Sequence, residues 1–327
     1  MNPHGHRGRF GYQCVAGAYN VEARDIARDE PVFGLPLSNT FVYGTVRDVD
    51  GSLFLPMRRI KGGDGGHERL LLQSSLDADA IRVHPVSRRS ARSTGTVRSW
   101  GDGDGAQLRS APDVEGESFE VACTAETLSW HEGDTVALTG ALVAPGLHWH
   151  LPDDARGMYY ASRMFEVEGT ILGREVRGFI AVDDLYMHGT IYVDDVLVGE
   201  QAELVWYTWA TRYDDGTLDG GHFMYGHDRL GFALLTNERG EVTATTEIDG
   251  EVTLDSDGPW PEGITLRAGG DTWEFVPDPR GRMIDLMPIP NPQVEGRWRR
   301  VGDDRRPAHW FAWGEIAPGH GTSRRRA

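Results

Sequence analysis

The chain predicts an all-β protein, and three features of the sequence carry that prediction. Apolar and polar residues alternate over short spans, which is the period of a strand buried on one face. The spans stop at Gly or Asp turns, in keeping with 42 Gly and 17 Pro among 327 residues. No long stretch of 3.6-residue period carries capping residues at both ends, so long helices are not expected. The 10 Trp, 10 Tyr and 11 Phe suit β interiors and apolar cavities, because each ring removes much area from water.

Taken in chain order, the residues up to about Gly11 read as a frayed tail and "NVEARDIARDEP" as a short helix. "NTFVYGTVRDVDGSLFLPMRR" reads strand, Asp-Gly hairpin, strand. A break is expected near "SRRSARSTG". The hairpin theme returns in "MFEVEGTILGREVRGFIAV", "ATRYDDGTLDGGHFMYG" and "LLTNERGEVTATTEIDGEVTL". Pro and Gly mark another break at "SDGPWPEGI", and "WRRVGDDRRPAHWFAWGEI" closes the pattern before a frayed "APGHGTSRRRA". A sandwich or barrel explains this rhythm, and closure would protect the strand edges. The length fits two domains. Their boundary is expected near residues 230 to 240, giving units at 12–235 and 236–322.

Composition excludes several function classes. Lys plus Arg total 33 against 50 Asp plus Glu, a formal net charge of -17, and a surface of that sign repels phosphate backbones and anionic lipid. No nucleic-acid partner is expected, and "RRSARSTGTVR" and "GTSRRRA" read as solvated loop and tail. Lys61 is the only lysine, in "KGGDGGHE", which lacks the GxxxxGK[ST] pattern of a phosphate-cradling loop. A glycine-flanked lysine also has no desolvating pocket to make it a Schiff-base nucleophile. No GxGxxG stands between strand and helix, so no nicotinamide or flavin is expected, nor any other cofactor. Cys14 and Cys123 offer neither a disulfide lattice nor a metal spacing. No signal peptide and no integral membrane span are visible, so a cytoplasmic location is expected. The oligomeric state is open, a homodimer being one option.

The candidate site residues lie in a few strands. His148 and His150 share a face of "GLHWH" if it is extended, but no third and fourth ligand follow, so no metal site is expected. In "MYYASRMFEVEG", Tyr159 is a ligand-binding candidate, while Arg163 reads first as a cross-strand ion-pair partner. In "GFIAVDDLYMHG", alternation sets Asp183, Leu185 and Met187 on one face and Asp184, Tyr186 and His188 on the other. The adjacent carboxylates then cannot act as a pair, although one of them, buried and raised in pKa, could serve as a general acid. An Asp-Asp turn capping backbone amides is the competing reading. Further along, Trp206 and Trp209 fall on opposite faces of "VWYTWATRY", so both sides of that strand carry rings. His222 and His227 could reach a cavity across a bend or be ordinary loop residues. In "PAHWFAWGEI", Trp313 and Glu315 share a face, with Glu315 a cavity-facing candidate on a closing strand.

These residues carry a resemblance. "YYASRMFEVEGTILGREVRGFIAVDD" followed by "WYTWATRYDDGTLDGGHF" resembles the central region of the AttH and carotenoid 1,2-hydratase-like proteins, over residues 158 to 225, with a weaker echo in "WFAWGEI". The resemblance implies two lipocalin-like antiparallel β-barrels packed together, with the acid of the first motif near the cavity between them. It also implies water addition to isoprenoid double bonds, or secondary metabolism of apolar polycyclic molecules. Gly178 matches the opening glycine and Asp183 the family acid; Trp206 and Trp209 lie near the two rings of the second motif, and Asp215 with Gly216 is its turn. The chain departs from the pattern at Ala181, where the family has Trp, and at Leu185, Tyr186 and Met187, which replace the polar and ring shell of the acid.

The resulting expectation is a cofactor-independent enzyme of lyase or isomerase type. It would act on an apolar or amphipathic small molecule (terpenoid, steroid or polyketide) by acid-initiated hydration, dehydration, isomerisation or cyclisation. Asp183, Tyr186 and His188 form the expected catalytic set, with Trp206 or Tyr186 stabilising a developing cation. Tyr159, Asp184, Trp206, Trp209, His222, Trp313 and Glu315 are the expected ligand contacts. The alternative is a non-catalytic hydrophobic-ligand carrier, and a third reading, a purely structural protein, would enclose no cavity.

Overall fold

The computed structural model describes residues 15–316 apart from 27, 29, 63–68, 77–78, 92–95, 101–104, 153–156, 190–204, 227–230, 257–259 and 286–291. Cys14, His227, both chain ends and most of the loop after Lys61 lie outside the described residues.

Thirteen strands make the first sheet. They are β1 (Val15–Tyr19), β2 (Leu37–Asp48), β3 (Leu53–Lys61), β4 (Leu71–Ser74), β5 (Arg82–Val83), β6 (Thr96–Trp100), β7 (Ala106–Ser110) and β8 (Phe119–Cys123), then β9 (Thr127–Glu132), β10 (Val136–Leu142), β11 (Gly146–Leu151), β12 (Met158–Ile171) and β13 (Arg174–Met187). The order is β5-β4-β3-β2-β13-β12-β10-β9-β8-β7-β6, and β11 joins β12 to β1. Every named ladder is antiparallel. One contact shows that the sheet curls. Arg58 on β3 and Glu132 on β9 stand five strand spacings apart, roughly 24 Å if the sheet were flat, yet the Arg58 Nη2 donates to Glu132 Oε2 at 2.9 Å. The curl encloses an apolar interior that includes Val42, Phe54, Phe119, Trp130, Phe165 and Val182.

The remaining strands form two further sheets. One holds β14 (Val205–Tyr213), β15 (Leu218–Tyr225), β16 (Gly231–Asn237), β17 (Val242–Thr245) and β22 (Pro307–Ile316). The other holds β18 (Ile248–Leu254), β19 (Pro261–Ala268), β20 (Asp271–Arg282) and β21 (Val294–Arg300). They enclose a core rich in rings, among them Tyr207, Trp209, Phe223, Trp273, Phe275 and Trp298, and a bridge between Gln293 and Glu315 joins their edges. The expected class, all-β with two antiparallel barrel-like units packed together, is the observed one. Sheet membership changes between Met187 and Val205, upstream of residues 230 to 240.

Two details follow from local sequence. The turn between β12 and β13 uses Leu172 and Gly173, both at positive φ (53° and 73°), as a two-residue hairpin between right-twisted strands demands. The short helix expected in "NVEARDIARDEP" is a single turn, α1 (Ala23–Ile26), which sets Ala23 and Ile26 into the first interior. Among the described residues no helix is long and apolar enough to cross a membrane.

Candidate active site

Strand β13 has one face toward the first interior and the other toward the sheet of β14. Ile180 and Val182 belong to the interior cluster, whereas Phe179 and Ala181 pack with Ala210, Phe311 and Trp313 of the second unit. Leu185 and Met187 pack with Trp149, Met224 and Phe232. Strand parity therefore places Asp183 at the junction of the two units and Asp184 inside the first.

Asp183 has no exposure to solvent. Tyr160 on β12 donates to its Oδ2 at 2.6 Å, and Tyr43 on β2 donates to the same oxygen at 2.8 Å. Its Oδ1 is buried and has no hydrogen-bond partner among the described residues. Burial pushes the carboxyl up to about 6, against the pull of Ser162, Tyr160 and Tyr43 toward the charged form. A carboxyl so held exchanges its proton in the range where biological acids work. The register explains the company: the hairpin at Leu172 and Gly173 sets Ser162 opposite Asp183 and Tyr160 opposite Leu185, on the same face.

From Tyr43 the hydrogen bonds cross into the second unit. The Tyr43 hydroxyl lies 2.9 Å from Thr208 Oγ1, which lies 3.0 Å from Nδ1 of His222. Burial drives His222 down to about 3, so its ring is neutral. Around this line stand rings. Tyr160 stacks on Trp149 at 5.3 Å and meets Trp206 edge-on at 5.4 Å, and Tyr43 meets Trp313 edge-on at 5.2 Å. Glu315 pairs with Trp206 across the β14–β22 ladder, and burial lifts it to about 8.

The structure thus gathers Asp183, Trp206, His222, Trp313 and Glu315, and separates them from the other expected site residues. Tyr186 packs with Leu35, Leu37 and Tyr159 at the far face of β13, and His188 is exposed beyond the end of the strand. Tyr186 and His188 therefore do not stand with Asp183. Tyr159 faces the same way as Tyr186, 5.7 Å from its ring. Asp184 accepts from Arg163 Nη2 at 2.5 Å and Thr40 Oγ1 at 2.6 Å, a buried ion pair inside the first unit, and the Asp-Asp turn reading falls because both residues lie within β13. Trp209 stacks on Phe223 at 5.4 Å in the second unit's own core. Of the histidine pair, His148 Nδ1 lies 3.1 Å from the Tyr159 hydroxyl and His150 stacks on Phe33.

Tyr43, Thr208, Ser162 and Thr236 were not singled out from sequence. Counting outward from the Leu172–Gly173 turn would have found Ser162 and Tyr160. Tyr43 sits 140 residues from Asp183, and no local signal points to it. The cavity that the resemblance implies near the acid is filled largely by rings. The rings of Trp149, Tyr160, Trp206 and Phe232 pack on one another, and a small, partly open void beside Ser162 and His222 measures about 20 Å³. A groove of about 930 Å³ lies elsewhere, open to solvent over the outer faces of β7 to β10 and β12.

Fold and site together define a class: an all-β chain of two packed units with a buried, tyrosine-bound carboxyl at their junction. No protein-family model and no curated protein matches the chain. Among solved structures it is similar to a presumptive AttH from Nitrosomonas europaea, at 14% identity and a TM-score of 0.46, over 92% of this chain and 97% of that one. It is also similar to kievitone hydratase from Nectria haematococca, at 8% identity and a TM-score of 0.40, over 92% and 96% of the two chains. AttH is one of the names that the central motifs resemble. At these scores neither structure bears on the chemistry of this chain, which rests on its own residues.

Proposed function

We propose that the chain is an enzyme, built from two units that divide where the sheets change, in which Asp183 starts a reaction by giving its proton to an unsaturated apolar small molecule. The observation that carries this reading is the Asp183 carboxyl itself: fully buried, bound at Oδ2 by two tyrosines and approached by Ser162, with no hydrogen bond to Oδ1 among the described residues. The two hydroxyls are in place before the proton leaves, so they stabilise the carboxylate that forms without reorganising. The π faces of Trp206, Trp149 and Tyr160 favour a cation developing nearby. His222, neutral and linked to Asp183 through Thr208 and Tyr43, is a base for the proton that a later step releases. Hydration, dehydration, isomerisation and cyclisation all begin with such a protonation.

Trp206 supplies the route in. It is a partly exposed ring of the cluster, as Phe41 also is, whereas Trp149, Tyr160 and Phe232 are buried. A substrate reaches the acid by displacing this ring. The test is turnover of an extract rich in terpenoid and polyketide alkenes, followed by mass spectrometry with wild type and Asp183→Asn. A product made by wild type and made at least about a hundredfold more slowly by the variant supports the role. Equal turnover by both, with both folded, removes it. A retained, unconverted ligand in native mass spectrometry of wild type would instead establish the carrier reading.

A further inference from the structure

The void of about 20 Å³ is lined by Ser162, His222, Thr236, Gly220 and Gly221, among others. That is room for one water, which needs roughly 10–15 Å³ and two to four polar partners. Thr236 Oγ1 is buried and has no hydrogen-bond partner among the described residues, a state that costs about 1–3 kcal/mol unless something bonds it. Ser162 and His222 face the same void, and each touches the acid by its own path. Ser162 is the ladder partner of Asp183, and His222 reaches Asp183 through Thr208 and Tyr43 in steps of 3.0, 2.9 and 2.8 Å. The room, the unmet hydroxyl and the line of hydrogen bonds are independent of one another. They meet at one point.

We infer that this void is a water site, with Thr236 as its positioning residue, and that the water in it is the far end of a proton relay through His222, Thr208 and Tyr43 that recharges Asp183. The inference deepens the reading of Asp183 as a proton donor: an acid without solvent exposure needs a path by which its proton is replaced. The hydrogens can be assigned. Tyr43 has one hydroxyl hydrogen, which is committed to Oδ2 when Asp183 is ionised, so Thr208 then donates to the Tyr43 oxygen and His222 Nδ1–H donates to Thr208. That leaves Nε2 of His222 as an acceptor. Four shifts recharge the acid: the water proton to His222 Nε2, Nδ1–H to Thr208, the Thr208 proton to Tyr43, and the Tyr43 proton to Asp183. They leave a hydroxide equivalent in the void. It is consumed by the cation that the Asp183 proton created, either by adding to it or by taking a proton from it, and charge balances in both cases.

The experiment needs no substrate, so its failure is distinct from a failure of the enzyme reading. Infrared spectroscopy at about pH 5 isolates the Asp183 carboxyl band as the one missing from Asp183→Asn. On transfer to deuterium oxide, that band shifts in wild type as the proton exchanges. In Thr236→Val, which keeps the side-chain shape and removes the hydroxyl, exchange is about tenfold slower. Thr208→Val, which cuts the relay in the middle, slows it at least as much. A crystal structure of wild type shows an ordered water within hydrogen-bond distance of Thr236 Oγ1. Exchange unchanged in both variants, or Thr236 Oγ1 bonded to a protein atom with no water beside it, overturns the inference. A chain with the slowed exchange and no turnover of any alkene keeps the relay and loses the enzyme reading.

Discussion

Tyr160 donates its hydroxyl to Oδ2 of Asp183 at 2.6 Å, from the strand paired with the one that carries the acid. Tyr43 donates to the same oxygen from the strand on the other side. Both bonds favour the ionised carboxyl and oppose the burial that lifts Asp183 to about 6. Removing either hydroxyl lets burial act with less opposition. Tyr160→Phe and Tyr43→Phe are each expected to raise the Asp183 midpoint by about one unit, read by infrared titration. A midpoint that falls or stays in place contradicts this arrangement.

Arg163 and Asp184 form a pair of another kind. Each is about 1% exposed, and the guanidinium also donates through Nε to the Tyr19 hydroxyl at 2.9 Å. Arg163→Met leaves a buried carboxylate uncompensated and is expected to cost about 3–5 kcal/mol in chemical denaturation. Replacing both partners, as Arg163→Met with Asp184→Leu, recovers much of the loss, because two desolvated charges are removed together. Equal losses for single and double variants would show that the pair is not an energetic unit.

Stability should fall as pH rises above the ordinary histidine range. Asp183 and Glu315 are lifted by burial to about 6 and about 8, and Glu295, buried against Arg47 and Thr45, to about 7. A carboxyl whose folded pKa lies above its unfolded one binds its proton more tightly in the fold. Its contribution is complete below the ordinary carboxylate range and is lost as pH climbs through the folded value. Between about pH 7 and about pH 9, above the range in which His222, held neutral by burial, adds stability as pH rises, the Tm of wild type is expected to drop, and Glu315→Gln to drop less. Parallel curves for the two proteins would contradict the burial of Glu315 as an acid.

Trp206 covers the buried rings of Trp149 and Tyr160, at 5.3 and 5.4 Å between centroids. Trp206→Ala removes two edge-on contacts worth about 0.5–1.5 kcal/mol each and opens the junction. Stronger binding of an apolar fluorescent dye, with a modest loss in Tm, is the expected outcome. Unchanged dye binding would place the entrance elsewhere.

The parts of the fold that repeat locally were legible in the sequence. Alternation and Gly-marked turns gave the strands, and strand parity split Asp183 from Asp184. The change of sheet was not legible, because a hairpin has the same period of two whichever sheet it joins. Strand β14 pairs with β22, about a hundred residues later, at Trp206 and Glu315 among other positions. Nothing in either segment announces that pairing. For the same reason the acid could be chosen from sequence but its partners could not. Tyr43 and Thr208 meet at 2.9 Å only because β2 of the first sheet and β14 of the second face each other. Tyr186 and His188, neighbours of Asp183 in sequence, were expected beside it, and parity and the end of the strand send them elsewhere.

The most direct test of the central claim is the fate of the Asp183 proton. Wild type and Asp183→Asn are incubated in deuterium oxide with an alkene that wild type converts, and the product is examined for deuterium bound to carbon. The account predicts one deuterium at the protonated carbon with wild type and unlabelled, unconverted alkene with the variant. Conversion by the variant with the same label would contradict it.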